Sequence, residues 1–268
     1  MIDTPTKPAA GSPDTPDQPV YPARKVWWIV GGSITGAALV TGFAFYGAWS
    51  WVVSAEDRDD SRTEEFDRAV SAVDVTADVG DVQLDAADGT VLDFRLDAAW
   101  RGTEPDTTEE WSGTTLLVHG ECDDGNVLGL DVDQCQTNYT LALPAGTDAS
   151  AETGVGDIRL DGLDGDIDVV AGIGSIDGAD LRSTGVTVSS GVGDVDLEFD
   201  EVLGDITVDA GAGDVVITVP DDGTTFDVQI DGGVGDRDIR VATDPSIEAD
   251  YVINVTSGVG TVTVKYGA

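Results

Sequence analysis

Carboxylates dominate the groups in this sequence that could do chemistry. There are 41 Asp and 11 Glu against 13 Lys and Arg, giving a formal net charge of −39, and a single histidine, His119. One histidine excludes multi-His metal sites and leaves little acid–base equipment near neutral pH. His119 has no motif around it and reads as a surface or turn residue. No Gly-x-Ser-x-Gly, Walker or His-Glu-x-x-His pattern is present, so the sequence offers no catalytic residues. Asp pairs recur so often that none can be singled out for general acid–base work. The sharpest chemical reading concerns aspartates that directly follow a glycine: Asp157, Asp194 and Asp214, and a second set, Asp166 and Asp205. Stacked in register about 4.8 Å apart, such carboxylates would repel by about 1 kcal/mol or more per pair. A bound Ca²⁺ would relieve the repulsion, since hard oxygen ligands suit it. The alternative is an Asp that hydrogen-bonds its own turn, with the charge screened by salt. The order also differs from the calcium-binding Gly-Gly-x-Gly-x-Asp-x-φ-x nonapeptide, because here Asp precedes the aliphatic residue φ directly.

The elements that must position these aspartates are set by a repeat, Gly-Asp-φ-x-φ. Copies stand at Gly80-Asp81-Val82-Gln83-Leu84, Gly156-Asp157-Ile158-Arg159-Leu160, Gly165-Asp166-Ile167-Asp168-Val169, Gly193-Asp194-Val195-Asp196-Leu197, Gly204-Asp205-Ile206-Thr207-Val208 and Gly213-Asp214-Val215-Val216-Ile217. Variants without Asp begin at Gly174, Gly185 and Gly260, and the copy at Gly235-Asp236-Arg237 has its aliphatics displaced to Ile239 and Val241. Several copies are preceded by a further glycine: Gly154, Gly191, Gly211 and Gly233. The period-two alternation makes each copy a short strand with one apolar face, Ile158 and Leu160 inward and Asp157, Arg159 and Asp161 outward. Glycine supplies the corner. Such a strand cannot bury its face alone, but stacked coils can. The expected fold is all-β, a β-solenoid with two strands per ~20-residue coil. A β-sandwich is the competing architecture, although it would not require Gly-Asp at one phase of every strand.

These Gly-x-Gly-Asp-Ile/Val repeats resemble the bacterial putative-adhesin family, also called LiaG-like, a domain of unknown function. The stretch Cys135-Gln-Thr-Asn-Tyr139-Thr-Leu-Ala-Leu-Pro144-Ala-Gly146 is similar to the entry segment of actinobacterial members. The resemblance covers roughly residues 70–268. It implies a β-solenoid, an envelope-associated protein with a link to envelope-stress systems, and no catalytic residues.

Ahead of the repeats lie two different segments. Residues 1–25 hold six of the ten prolines and read as a disordered tail. Residues 26–53 carry no charge, and ~20 apolar residues suffice to span a bilayer. Trp27 and Trp28 at one end and Trp49 and Trp51 at the other form interfacial anchors. The run is too long for a signal-peptide core, so it reads as a retained transmembrane helix. Gly32 and Gly36 within it offer a homodimer contact. Residues 54–69 read as a juxtamembrane linker. Cys122 and Cys135 are the only cysteines, and an isolated pair in an exported domain reads as a disulfide. Anchor and disulfide together place the N-terminus in the cytoplasm and residues 70–268 outside a bacterial membrane.

From Glu56 onward the chain holds 49 acids and 10 bases, which argues against nucleic acid as a partner. The expected function is a non-enzymatic binding or structural module at the bacterial cell envelope, in adhesion or envelope stress, with an envelope protein or wall polymer as partner. A calcium-binding surface repeat and a polysaccharide-acting enzyme are the alternatives. Desolvated carboxylates in a groove would favour the enzyme; an evenly charged surface would favour the module.

Overall fold

The computed structural model describes residues 57–122, 126–127, 130–131, 134–242 and 249–267. The proposed tail, membrane helix, tryptophan anchors and Gly32/Gly36 contact lie outside the described residues. Among those described, no helix is long and apolar enough to cross a membrane.

Alternation of apolar and polar residues, punctuated by glycine, yields strands throughout. They are β1 Arg58–Phe66, β2 Ala72–Val79, β3 Val82–Ala86, β4 Leu92–Arg101, β5 Asp106–Ser112, β6 Thr115–Glu121, β7 Asn126–Val127, β8 Leu130–Asp131, β9 Gln134–Leu143, β10 Asp148–Val155 and β11 Ile158–Asp161. Then come β12 Ile167–Ile173, β13 Ile176–Leu181, β14 Val186–Val192, β15 Val195–Phe199, β16 Ile206–Ala212, β17 Val215–Val219, β18 Phe226–Val234, β19 Arg237–Arg240, β20 Tyr251–Val259 and β21 Val262–Tyr266. The segment read as a linker therefore holds β1 from Arg58 on.

One sheet has ten strands in the order β1-β4-β9-β3-β11-β13-β15-β17-β21-β19; the other has nine, β18-β20-β16-β14-β12-β10-β2-β6-β5. From β10 to β17 the chain alternates strand by strand between the sheets. Each strand lies parallel to the one two places on. One circuit takes 18 to 20 residues. The inward residues line up across circuits: Val82, Ile158, Ile176, Val195, Val215 and Val262 share one register column, and none is more than 2% exposed. Ile158 and Leu160 point inward and Arg159 and Asp161 outward, as the alternation requires. Each such aliphatic contributes about 1.5–3 kcal/mol on burial before entropy is subtracted.

Both ends depart from the regular pattern. At one end β4 lies antiparallel on β9, β1 on β4, and β5 on β6. Arg62 of β1 reaches across to Glu109 of β5, and Arg68 stacks 4.0 Å over Trp111, so charged groups close the aromatic cluster of Phe66, Phe94, Trp111 and Tyr139. At the other end chain order and stacking order differ. The C-terminal pair β20–β21 sits between β16–β17 and β18–β19, so β18 and β19 are the edge strands. This places the divergent Gly235 copy. Arg237 occupies the register of Val262, an inward position, but in the edge coil. There its guanidinium reaches water and donates to the Gly232 carbonyl at 3.1 Å.

Candidate functional site

The corner aspartates serve the stack. Oδ1 of Asp157, Asp194 and Asp214 accepts the backbone N–H of the residue at the same place one circuit on, Ser175, Asp214 and Thr261, at 2.9, 2.8 and 2.7 Å. Asp81 does the same for Asp157, and Asp205 for Val252. Asp166 accepts from the Thr184 hydroxyl. These bonds correct the expectation that each Asp caps its own turn. The next corner lies one strand spacing away, within reach of a short side chain directed along the stack. The two sets are also interrupted. Ser175 stands between Asp157 and Asp194, and Gly185 between Asp166 and Asp205. Among the described residues no group of three or more His, Cys, Asp or Glu side chains is placed to hold a metal ion.

The cysteines form the expected bridge. Cys122, just past β6 of one sheet, is joined to Cys135 in β9 of the other, with Cα atoms 5.8 Å apart. His119 is exposed, 4.0 Å from Glu121. A shallow groove of about 320 Å³ on the ten-stranded sheet is lined by Gln83, Asp85, Arg159, Asp161, Asp177 and Asp196 among others. Partial burial pushes the Asp85 carboxyl above its ordinary range; a hydrogen bond from Gln83 opposes this and the charge of Asp161 adds to it.

The feature that the sequence reading passed over is the residue before the corner glycine at one corner of the circuit, the middle of Gly-x-Gly in every copy there but the one at Asp78-Val79-Gly80. Val79, Val155, Ile173, Val192, Ala212, Val259 and Val234 occupy a single register column. Unlike the core columns, this one faces water, with Val79 and Ala212 half-buried. Val155 is 47% exposed, Ile173 56%, Val192 55%, Val259 56% and Val234 73%, so five of the eight large exposed hydrophobics among the described residues stand in one row. A glycine row runs along each side. Gly154, Gly172, Gly191, Gly211, Gly258 and Gly233 form one; Gly156, Gly174, Gly193, Gly213, Gly260 and Gly235 the other. In both rows a Cβ would strike the carbonyl oxygen of the neighbouring circuit, at 2.1–2.5 Å in the first and 1.8–2.0 Å in the second. The backbones thus pack too closely for side chains, and the aliphatic row stands as a ridge between two bare strips. The signal was legible as Val, Ile or Ala repeated where a solvent-facing corner should be polar.

No family model matches the chain, and no curated relative matches it. Solved structures with similar chain paths include a "putative cell adhesion protein" from Clostridium sporogenes, 13% identical, TM-score 0.47, covering 79% of this chain and 100% of that one. A "putative adhesin" from Bacteroides fragilis is 17% identical with TM-score 0.47, covering 78% and 98%. A "putative lipid binding protein" from Parabacteroides distasonis is 13% identical with TM-score 0.31, covering 75% and 96%. Likeness at this level carries no argument about function.

Proposed function

We propose that this chain is a single-pass bacterial envelope protein whose residues 70–268 form an extracytoplasmic β-solenoid acting as a non-enzymatic binding module. The strand-by-strand alternation between two sheets, with parallel pairing from β10 to β17, supports the solenoid. The uncharged run 26–53 supports the anchor. The Cys122–Cys135 disulfide supports an oxidising exterior. The LiaG-like resemblance rests on the repeat residues and the Cys135–Gly146 segment, and favours the same reading.

One observation carries the binding role. A continuous aliphatic ridge on a surface otherwise crowded with carboxylates is costly to leave in water, and such patches mark interaction sites. Among the described residues, the carboxylates Asp85, Asp161, Asp177 and Asp196 share a groove on the ten-stranded sheet, but it is shallow and only Asp85 is pushed up by burial. A pull-down from solubilised envelopes with the full-length protein tests the reading. Wild type is expected to recover partners that the Ile173→Asp/Val192→Asp variant loses. Identical recovery would remove the ridge from the function. Protease added to intact cells checks the topology: digestion beyond residue 57 is expected, and protection would place the domain inside.

A further inference from the structure

We infer that the aliphatic ridge is the docking line for a cationic amphipathic α-helix of a partner protein, an inference that rests on the binding-module reading above. Length and spacing point to a helix. Seven positions at about 4.8 Å span about 29 Å. A helix of about 19 residues covers that distance, and its apolar stripe recurs every 5.4 Å, close to the pitch of the ridge. Shape agrees. Beside the ridge runs a groove of about 500 Å³, floored by Gly172, Gly191 and Gly211 and bordered by Val170, Ser189 and Asp209. Side chains flanking a helix's apolar stripe would settle into the bare glycine strips.

Charge selects the sign of the partner. Beyond one glycine row stand Asp81, Asp157, Asp194, Asp214 and Asp236; beyond the other stand Glu152, Asp209 and Asp231. Neither row contains Lys or Arg; Arg237 reaches the ridge at its Val234 end, where it donates to the Gly232 carbonyl. Asp81, Asp157, Asp194 and Asp214 are held in place by backbone N–H groups on Oδ1, so these acceptors are already fixed before a partner arrives. Lys or Arg on both shoulders of an apolar helix face would meet them. A second copy of this chain is a poor occupant, because apposed ridges would bring the same acidic rows together.

The test uses the full chain in phosphatidylcholine nanodiscs, with empty nanodiscs as blank. The probe is a labelled 19-residue Leu/Lys amphipathic helix, and a scrambled peptide of the same composition is the control. Wild type is expected to bind the helix at least about tenfold more tightly than does Ile173→Asp/Val192→Asp, and than it binds the scrambled peptide. Ile173→Thr/Val192→Thr, which adds no charge, is expected to fall between. Circular dichroism confirms that both variants are folded. Equal binding of the scrambled peptide, or unchanged affinity in both variants, overturns the proposal. So does sedimentation showing a wild-type dimer that the variants lose, since the ridge would then belong to a second copy. If the helix fails to bind while envelope capture still depends on the ridge, the partner class falls and the binding-module reading stands. If capture is also independent of the ridge, both fall.

Discussion

At Gly174 a methyl group on the α-carbon would lie 1.9 Å from the carbonyl oxygen of Gly156, the equivalent residue one circuit earlier, and the backbone there has φ +148°. Strain and overlap act together, so Gly174→Ala is expected to cost about 3 kcal/mol or more. Gly89→Ala, with nothing within 4 Å of the new atom, should leave the melting midpoint unchanged. Thermal melts of the two variants check this. Tyr139 gives a pH-dependent counterpart. Burial pushes its phenol up to about 12; the nearby Thr137 hydroxyl and the charge of Arg62 oppose this, and the charge of Glu109 adds to it. An unfolded phenol titrates near 10. The raised value means that its contribution is complete below pH ~10 and is lost as pH rises through about 12. Tyr139→Phe is therefore expected to flatten the fall in stability between those values, read from melts across the alkaline range. What the sequence displayed at this scale was residue type and phase. It revealed glycine as a corner but not as a contact, because the atom it avoids belongs to another circuit 18 residues away.

A single register position shows how an element's place overrides its sequence. Val215 is fully buried in β17, Val262 lies beside it in β21, and Arg237 completes the row in β19 at the edge. Val215→Arg would put a guanidinium into the closed core, where an unpaired charge costs several kcal/mol, and loss of the folded state is expected. Arg237→Val is expected to keep the fold with a stability change within about 1 kcal/mol, because the position faces the open end. It would instead bare an apolar terminus and promote self-association, as stacked repeats without polar caps do. Circular dichroism and sedimentation velocity separate the two outcomes. Strand positions and inward faces, from Ile158 to Val264, were readable from period-two alternation. The exchange of the last two coils was not, since parallel copies of one repeat can pair with either neighbour and only the fit at the ends decides. The antiparallel β1 was hidden for a related reason. Its charged residues, Arg58 to Glu65, protect an edge and so lack the apolar face by which strands are recognised. Cys122–Cys135 fastens this irregular end across the two sheets. Replacing both cysteines by serine is expected to lower stability by about 3 kcal/mol for so short a loop, measured by denaturant unfolding.

For the whole molecule, the excess of 49 acids over 10 bases from Glu56 onward sets how stability responds to ions. Outward carboxylates recur on strands about 4.8 Å apart, inside the ~10 Å Debye length of 0.1 M salt, so their repulsion opposes the compact state. Raising NaCl shortens that length to about 3 Å at 1 M and should raise the melting midpoint continuously. Calcium divides two accounts of the same charge. In a cation ladder, calcium would stabilise far beyond its ionic strength, and a chelator would reverse the effect. The geometry favours screening alone. Ser175 and Gly185 interrupt the rows, leaving adjacent carboxylates in pairs such as Asp81–Asp157 and Asp194–Asp214, and among the described residues no three such side chains gather to hold an ion. At matched ionic strength, melts in CaCl₂ and in NaCl with chelator are therefore expected to share one midpoint. A higher midpoint in calcium alone would restore the ladder and assign these aspartates a ligand as well as a structural role.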